Sequence, residues 1–426
     1  ILVSNKSKSH RLQNKVFEIS DPDNYFEVML GAGVVVDRNK RKEKIINLIN
    51  KSSELLNLNP DLSEGLVDEL TDLVESPILI RGNFNKEFLS LPVEVLSTVM
   101  KTHQRYIPLL TKNKSFSKLD LSSQDKISTK FFVVSNGLEE STDIIAKGNE
   151  KVLKARFSDA KFFVESDKKN SSEYRNEKLR AVSYLKGFGS VFQRVERIII
   201  IAEKILSCLN DESLEDKKVL EAARFCKNDL SSEIVYEFPE LQGIIGGKYM
   251  KNEGFSEEVC LAVAEHYLPC FYKDALPSTI YGAIVSISDK LETLISIFIS
   301  GKRPSGSSDP YALRRSLNGI IQIMWEFEIK LSFENIFENL LDYWKLALPN
   351  LNFKKEQVLE DLIEFTEQRI INHLEELSIS KDLIKAVCFS EIGRDVRITN
   401  LINLKKRFNT IKYLKEKDNF IETQKV

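Results

Sequence analysis

The sequence is short of the side chains that build metal sites and disulfides. Its 426 residues include only four histidines and five cysteines, and no two cysteines form a CxxC pair. Structural zinc sites and disulfide frameworks both need such ligands at regular spacing. We therefore predict no structural metal. Unpaired cysteines favour a reducing compartment, which we take to be the cytoplasm.

Long apolar runs and an excess of positive charge are also missing. No apolar run reaches the roughly 18 residues that span a bilayer, so no membrane segment is predicted. The formal net charge is −2, which gives no overall basic signal. Any contact with a nucleic acid would have to come from local clusters of lysine and arginine.

Common catalytic motifs are absent as well. The sequence has no Walker A loop, GxSxG, HExxH, dinucleotide fingerprint or ATP-binding signature of a synthetase. HD-type phosphohydrolases need a histidine, a His-Asp doublet and a later aspartate around a divalent cation. Asp289 could be that aspartate, but the chain contains no His-Asp doublet. The comparable segment, Cys226–Asp229, offers a lysine and an amide, and His266 stands alone, so at most a metal-free relative is predicted.

The length and pattern predict several domains, since 426 residues exceed one ordinary core. Residues 1–170 mix short apolar runs with helices, which predicts an α+β domain. From Leu179 onward the periodicity is helical in these segments: 189–209, 215–228, 231–251, 256–268, 278–300, 309–328, 332–347, 353–377, 381–390 and 393–415. The chain begins without methionine, and we expect it to be a piece of a longer polypeptide.

The stretch Gly301–Ser316, GKRPSGSSDPYALRRS, separates two apolar helices. Asp309 and Pro310 predict a helix start at N-cap and first position. Lys302, Arg303, Arg314 and Arg315 would then surround free backbone N–H groups, a pattern typical of phosphate sites. The alternative is that nearby carboxylates neutralise these cations and the rest faces water.

A second cationic pattern lies on the predicted helix 141–168. Leu153, Phe157, Ala160 and Val164 form its core-facing stripe. Lys147, Lys151, Lys154 and Lys161 follow an adjacent face. Asp143–Lys147 and Glu150–Lys154 have the spacing of helical ion pairs, which favours a salt-bridged surface. The alternative is a cationic surface along an RNA backbone.

Two further clusters are basic. Pro92 opens a helix that ends in Lys101, His103 and Arg105, where cations suit the helix dipole. For His103 a capping role is favoured over catalysis, because no nucleophile or carboxylate is near in sequence. Asp37 is predicted to open a helix whose first turns are rich in lysine and arginine, with a solvated face or RNA contact as alternatives.

Six blocks of the sequence resemble the β subunit of bacterial glycyl-tRNA synthetase. They are SDKLETLISIFISGKRPSGSSDPYALRRSLNGI (288–320), VMKTHQRYIPLL (99–110), FFVVSNG with KGNEKVLKARFSDAKFFVESDKK (131–169), FGSVFQRVERI (188–198), CKNDLSSEIVYEFPELQGIIGGKYM (226–250) and EHYLPCFYKDALPST (265–279). Ser288 and Lys248 depart from the usual family residues. The blocks follow the family's order over nearly the whole chain.

The resemblance implies a mainly α, multidomain fold. It would comprise a partial N-terminal α+β domain (1–170), an HD-like helical domain (171–303), a helical body (304–352) and the truncated start of an anticodon-binding helical module (353–426). The implied enzyme is glycine–tRNA ligase, an α2β2 assembly in which the α subunit binds ATP and Mg²⁺ and this chain binds no cofactor. Its implied partners are the α subunit, tRNA(Gly) and a second β subunit.

No catalytic residue is therefore expected in this chain. The expected tRNA-binding residues are Lys101, His103, Arg105, Lys147, Lys151, Lys154, Lys302, Arg303, Arg314, Arg315 and Arg369. The competing hypotheses are an HD-like metal-dependent phosphohydrolase and a helical scaffold without an RNA role.

Overall fold

The computed structural model describes residues 4–111, 121, 126–209, 211–271, 273–306, 308–376, 379–388 and 401–415. The chain is mainly helical and divides into two compact units. The first comprises Ile1–Lys169 and Glu237–Leu241, and the second comprises Asn170–Tyr236 and Gln242–Val426. Among the described helices, none has both the length and the apolar character that crossing a bilayer would require.

A four-stranded antiparallel sheet organises the first unit. In spatial order its strands are β3 (Leu58–Pro60), β5 (Ile107–Thr111), β6 (Ile127–Ser135) and β4 (Ile78–Asn83). A separate antiparallel pair joins β1 (Lys6–Lys8) to β2 (Val16–Glu18). Gly82 lies opposite Phe131, and a Cβ at Gly82 would come within 2.3 Å of that ring. The pairing of β4 with β6 therefore depends on a glycine here.

The first unit also contains helices. They are α1 (Tyr25–Gly31), α2 (Arg38–Leu56), α3 (Glu64–Leu73), α4 (Val93–Thr98) and α5 (Thr142–Asp167). A π-helical turn, Val99–His103, follows α4. Ile45 and Ile49 of α2 are buried in one cluster with Phe132 and Val134 of β6. The alternation of apolar side chains in β6 thus supplies the surface on which α2 packs.

The structure confirms the predicted helix start at Asp37 and shows that a β-branched run just before it is not a strand. Asp37 caps α2, since its Oδ1 accepts from Asn39 N at 2.8 Å and Lys40 N at 3.3 Å. The β-branched run Val34–Val36, in contrast, is not a strand. Val34 N donates to Met29 O and Val35 N to Glu75 O. These isolated hydrogen bonds hold the run as a connection rather than in a ladder.

The second unit is built from helices. They are α6 (Ser172–Lys178), α7 (Val191–Leu209), α8 (Asp216–Phe225), α9 (Glu233–Glu237), α10 (Ile244–Asn252), α11 (Glu257–Glu265), α12 (Ile280–Ile299), α13 (Leu313–Glu326), α14 (Phe333–Ala347), α15 (Lys355–Glu376), α16 (Lys381–Cys388) and α17 (Leu401–Lys415). Helix α12 is buried along most of its length and contacts α7, α8, α11, α13 and α15. It is the centre of this unit.

The predicted helical segments from 189 onward located the helices after α6, with one clear exception, whereas α6 itself was not predicted. Residues 377, 389–390 and 393–400 of the last three predicted segments lie outside the described residues. Segment 231–251 was predicted as one helix, but it forms α9 and α10 with a break between them. Gly243 adopts φ +82°, a conformation that L side chains rarely take. The carboxylate of Asp229 accepts from Gly243 N at 2.6 Å and from Gly246 N at 3.0 Å. These bonds satisfy the N-terminal N–H groups of α10 and fix its start.

Candidate nucleic-acid interface

Helix α5 carries a face of lysines, of which Lys161 lies 3.9 Å from Glu87 Oε2 and the others have no carboxylate partner among the described residues. Leu153, Phe157, Ala160 and Val164 are buried on its core side, as predicted. Lys147, Lys151 and Lys154, which we call the α5 lysine face, are exposed.

The predicted ion pairs Asp143–Lys147 and Glu150–Lys154 are wrong. Glu150 Oε1 instead accepts from Asn83 N at 2.8 Å, so this carboxylate binds the end of β4. Among the described residues, no carboxylate oxygen lies within 4.0 Å of an ammonium of the α5 lysine face. Three unneutralised charges on one helix face are suited to successive phosphates of a nucleic acid.

The basic turn after α4 differs, because each of its three candidate residues has an acidic partner. Lys101 Nζ lies 2.9 Å from Asp61 Oδ2, and His103 Nε2 lies 3.0 Å from Glu240 Oε1. The guanidinium of Arg105 is bonded to Glu69. Intramolecular carboxylates therefore already bind these three side chains. This turn is the weaker of the two candidate surfaces in the first unit.

Helix α13, which follows the Gly301–Ser316 stretch, begins later than the sequence predicted. The predicted start at Asp309 and Pro310 is wrong: α13 begins at Leu313, after Ala312 with φ +54°. Asp309 still caps the helix, since its two carboxylate oxygens accept from Leu313 N at 2.9 Å and Arg314 N at 3.0 Å. These two N–H groups are therefore unavailable to a phosphate.

The side chains of the junction divide into partnered and available cations. Lys302 Nζ donates to Tyr311 Oη at 2.7 Å, and Arg303 is paired with the buried carboxylate of Asp361. Arg315 is exposed, and its one hydrogen bond among the described residues is to Cys270 O, at 2.9 Å. Arg314 is half-buried and has no carboxylate partner among the described residues. Arg314 and Arg315 are thus the residues best placed here to meet an anion.

Arg369 belongs to the interior of the second unit. It is 9% exposed, and its Nε donates to Asn318 Oδ1 at 3.2 Å. Burial lowers the pKa of Arg369, an effect that Glu376 opposes. Its observed contacts therefore join α15 to α13.

A buried ionic centre lies where the sequence comparison with HD-type sites placed a lysine. Lys227 Nζ is 2.8 Å from His266 Nε2 and 2.8 Å from Asp289 Oδ2, and the side chain is 0% exposed. The ammonium also lies 3.7 Å from the centre of the Tyr267 ring. Its charge thus occupies the space between an imidazole and a carboxylate.

The protonation of this centre follows from its contacts. His266 Nδ1 donates to Val263 O at 2.6 Å, so its Nε2 lone pair accepts from Lys227. Burial lowers the pKa of His266 well below its ordinary value, and the Lys227 cation acts in the same direction. Burial alone would raise the pKa of Asp289, but Lys227 and Arg194 outweigh it and hold that pKa below its ordinary value. The centre is therefore a neutral imidazole beside an ion pair.

The ionic centre continues into the core through Arg194. This side chain reaches Asp289 Oδ1 at 2.8 Å and Glu292 Oε2 at 3.0 Å. Glu292 is fully buried and also accepts from Arg197 Nε at 2.9 Å and Tyr184 Oη at 3.0 Å. Sequence reasoning had identified Lys227, His266 and Asp289 separately. It had not identified Arg194 or Glu292, whose helical spacing places them among core positions.

The comparisons with known proteins agree with the resemblance. A family profile described as "Glycyl-tRNA synthetase beta subunit" matches residues 1–389. The glycine–tRNA ligase beta subunit of Trichodesmium erythraeum is 41% identical over 383 residues, 89% of this chain and 52% of that protein. The glycine–tRNA ligase beta subunit of Thermodesulfovibrio yellowstonii is 37% identical over 423 residues, which cover 99% of this chain and 58% of that protein. The glycine–tRNA ligase beta subunit of Bacillus subtilis is 37% identical over 381 residues, which cover 89% of this chain and 52% of that protein. The chain spans slightly more than half the length of these curated relatives.

Proposed function

The chain belongs to the glycyl-tRNA synthetase beta subunit family, and from this premise we propose that it binds tRNA(Gly) within glycine–tRNA ligase. In the proposed α2β2 enzyme, the α subunit binds ATP and Mg²⁺ and forms the activated glycine. This chain binds the tRNA and completes the assembly, with a second β subunit as a further partner. The enzyme works in the cytoplasm.

The α5 lysine face is the observation that supports tRNA binding most strongly. Its three ammonium groups are exposed, and no described carboxylate neutralises them. Binding of a nucleic acid releases counterions for each phosphate that a lysine contacts, so unpaired lysines contribute more than paired ones. Arg314 and Arg315 add a second cationic surface.

We also propose the finer architecture that the family resemblance implies. Residues 1–170 form the α+β domain, 171–303 the HD-like domain, 304–352 the helical body and 353–426 the start of the anticodon-binding module. The arrangement of Lys227, His266 and Asp289 supports the HD-like part of this proposal. A hydrolase role is disfavoured because the Lys227 ammonium fills the space that a bridging divalent cation would need.

A titration of tRNA(Gly) against the purified chain at increasing salt tests the proposal. Four to six phosphate contacts predict a log–log slope of affinity against salt of about −4 to −5. A scaffold without an RNA role would show no affinity. In parallel, the α subunit added with ATP and glycine should charge tRNA only when this β subunit, in its full-length form, is present. Charging by the α subunit alone would contradict the proposed division of work.

A further inference from the structure

A cavity of about 620 Å³ opens beside α13 in the second unit. Arg315, Asn318, Gly319 and Gln322 line it from one face of the helix, because residues three and four apart share a face. Pro269 and Phe271 line it from the segment after α11, and Glu376 from the end of α15. We propose that this cavity binds one unpaired nucleotide of an RNA.

The polar groups of the cavity have hydrogen-bonding capacity left over. Asn318 Oδ1 accepts from Arg369 Nε at 3.2 Å, while its amide nitrogen has no partner among the described residues. The side-chain amide of Gln322 likewise has none there. Carboxamides carry donors and acceptors side by side, as the edges of nucleobases do. As far as the described residues go, these two amides can therefore bind a base edge without breaking an internal hydrogen bond.

Phe271 supplies an aromatic surface at the same cavity. Its side chain is 61% exposed, and it stacks on no other ring among the described residues. Nucleobases stack on exposed aromatic rings in single-strand binding proteins. Gly319 lets Pro269 pack closely against α13 beside the cavity, since a Cβ there would lie 3.1 Å from Pro269 Cγ and 3.2 Å from Lys290 Cε.

Arg315 gives the cavity its charge. One guanidinium nitrogen donates to Cys270 O at 2.9 Å, which fixes the side chain at the edge of the cavity. The remaining N–H groups are available to a phosphate oxygen, for which the planar guanidinium has the right geometry. A nucleotide can thus place its base against Phe271 and its phosphate on Arg315.

Glu376 predicts which bases the cavity prefers. Its carboxylate is 38% exposed and lies 3.6 Å from Arg369 Nη2, which holds it in place. An ionised carboxylate only accepts hydrogen bonds. Bases that carry an exocyclic amine, such as adenine and cytosine, should therefore bind better than uracil, which has none.

A free nucleotide offers the same base and phosphate groups as a nucleotide within RNA, and of these two occupants we propose RNA. The reason is that Arg314 precedes the cavity on the same helix and, having no carboxylate partner among the described residues, can contact a neighbouring phosphate. This choice rests on the proposed function, whereas recognition of a nucleotide by the cavity does not.

The test measures binding of the trinucleotides AAA, CCC and UUU, of AMP, and of tRNA(Gly) to the purified chain. The variants are Phe271→Ala and Gln322→Leu, with Tyr236→Ala as the control because Tyr236 is 88% exposed. AAA and CCC should bind more tightly than UUU. Phe271→Ala should weaken AAA binding about tenfold or more, as expected for the loss of one stacked base. Tyr236→Ala should leave it unchanged, and equal urea midpoints would show that the variants are folded.

Each outcome decides one part of the proposal. Parallel losses of AAA and tRNA binding in Phe271→Ala support an RNA nucleotide in the cavity. Losses of AMP and AAA binding with unchanged tRNA affinity overturn RNA as the occupant and identify a free nucleotide. Unchanged AAA binding in both variants overturns the cavity as a nucleotide site. Absence of tRNA binding by the unaltered chain contradicts the proposed function instead, and the trinucleotide results still decide on the cavity.

Discussion

The α5 lysine face and the buried ionic centre use the same side chain for opposite purposes. Lys147, Lys151 and Lys154 are exposed and have no carboxylate partner in the described structure. Lys227 is fully buried between His266 and Asp289. The two groups differ in that a buried carboxylate binds the ammonium of Lys227, whereas no described carboxylate binds the three exposed α5 lysines. The exposed lysines are therefore free to contact an anion outside the chain.

The strongest test of this comparison removes the buried charge. Lys227→Met keeps an unbranched side chain but leaves His266 and Asp289 without their shared cation. We expect the free energy of unfolding to fall by about 3 kcal/mol, the low end for breaking a buried ion pair, because Arg194 still contacts Asp289. Urea denaturation measures the change.

The matched control is Lys151→Met on the α5 lysine face. Its expected effect on stability is within about 0.5 kcal/mol, as for other surface substitutions. Equal losses of stability in the two variants would contradict the assignment of Lys227 to the core and Lys151 to the surface.

A second test concerns Asp229, whose carboxylate caps α10 close to the ionic centre. Burial raises its pKa to about 6, although Gly246 N and Gly243 N act against the shift. Asp229 therefore stays protonated up to about pH 6 in the folded chain, whereas in the unfolded chain it loses its proton near its ordinary pKa of 3.8. The stability that comes from this preferential protonation of the folded chain is lost as the pH rises through that window. Asp229→Asn lacks this titration.

The difference in the free energy of unfolding between Asp229→Asn and the unaltered chain should thus depend on pH. Between pH 4 and pH 7, the stability of the variant relative to the unaltered chain should rise by about 2–3 kcal/mol. Thermal or urea unfolding of both proteins at the two pH values measures this change in relative stability. A difference that stays constant would show that the Asp229 carboxylate titrates normally in the folded chain.

Neutralising the α5 lysine face should affect binding and not stability. The triple change Lys147→Gln, Lys151→Gln and Lys154→Gln is expected to weaken tRNA(Gly) binding by about 2 kcal/mol and to reduce the salt slope by about 3. The control changes three other exposed lysines in the same way: Lys217, Lys330 and Lys345. Similar losses in both triple variants would mean that binding follows net charge rather than this face.

The smallest effect is expected at the start of α13. Replacing Arg314 and Arg315 together by alanine should weaken tRNA binding by about 1 kcal/mol, because Asp309 already uses the helix N–H groups that would have reinforced a phosphate site. Filter binding measures the loss. Unchanged affinity would assign this pair a structural role.

The sequence predicted those parts of the fold that depend on local pattern. The stripe Leu153, Phe157, Ala160 and Val164 repeats at the helical period, and it is buried. Strand β5 was not predicted. Pro108 lies inside it, and a proline normally argues against an inner strand. The ladder accommodates Pro108 through a register irregularity between Pro108 and Leu110.

The candidate site was less predictable because its properties depend on distant contacts. Lys227 meets His266 across 39 residues and Asp289 across 62 residues, and no local pattern encodes such a meeting. The failure of the predicted Glu150–Lys154 pair has the same origin. Its partner Asn83 comes from a strand far away in sequence and offers a backbone N–H that needs an acceptor.

Lysine acetylation with and without tRNA(Gly) tests the central claim most directly. Mass spectrometry then reports how accessible each ammonium is. We expect bound tRNA to protect Lys147, Lys151 and Lys154 from acetylation, while Lys217 and Lys345 react as they do without tRNA. Equal reactivity of the α5 lysine face in both states, under conditions where tRNA is bound, would contradict it.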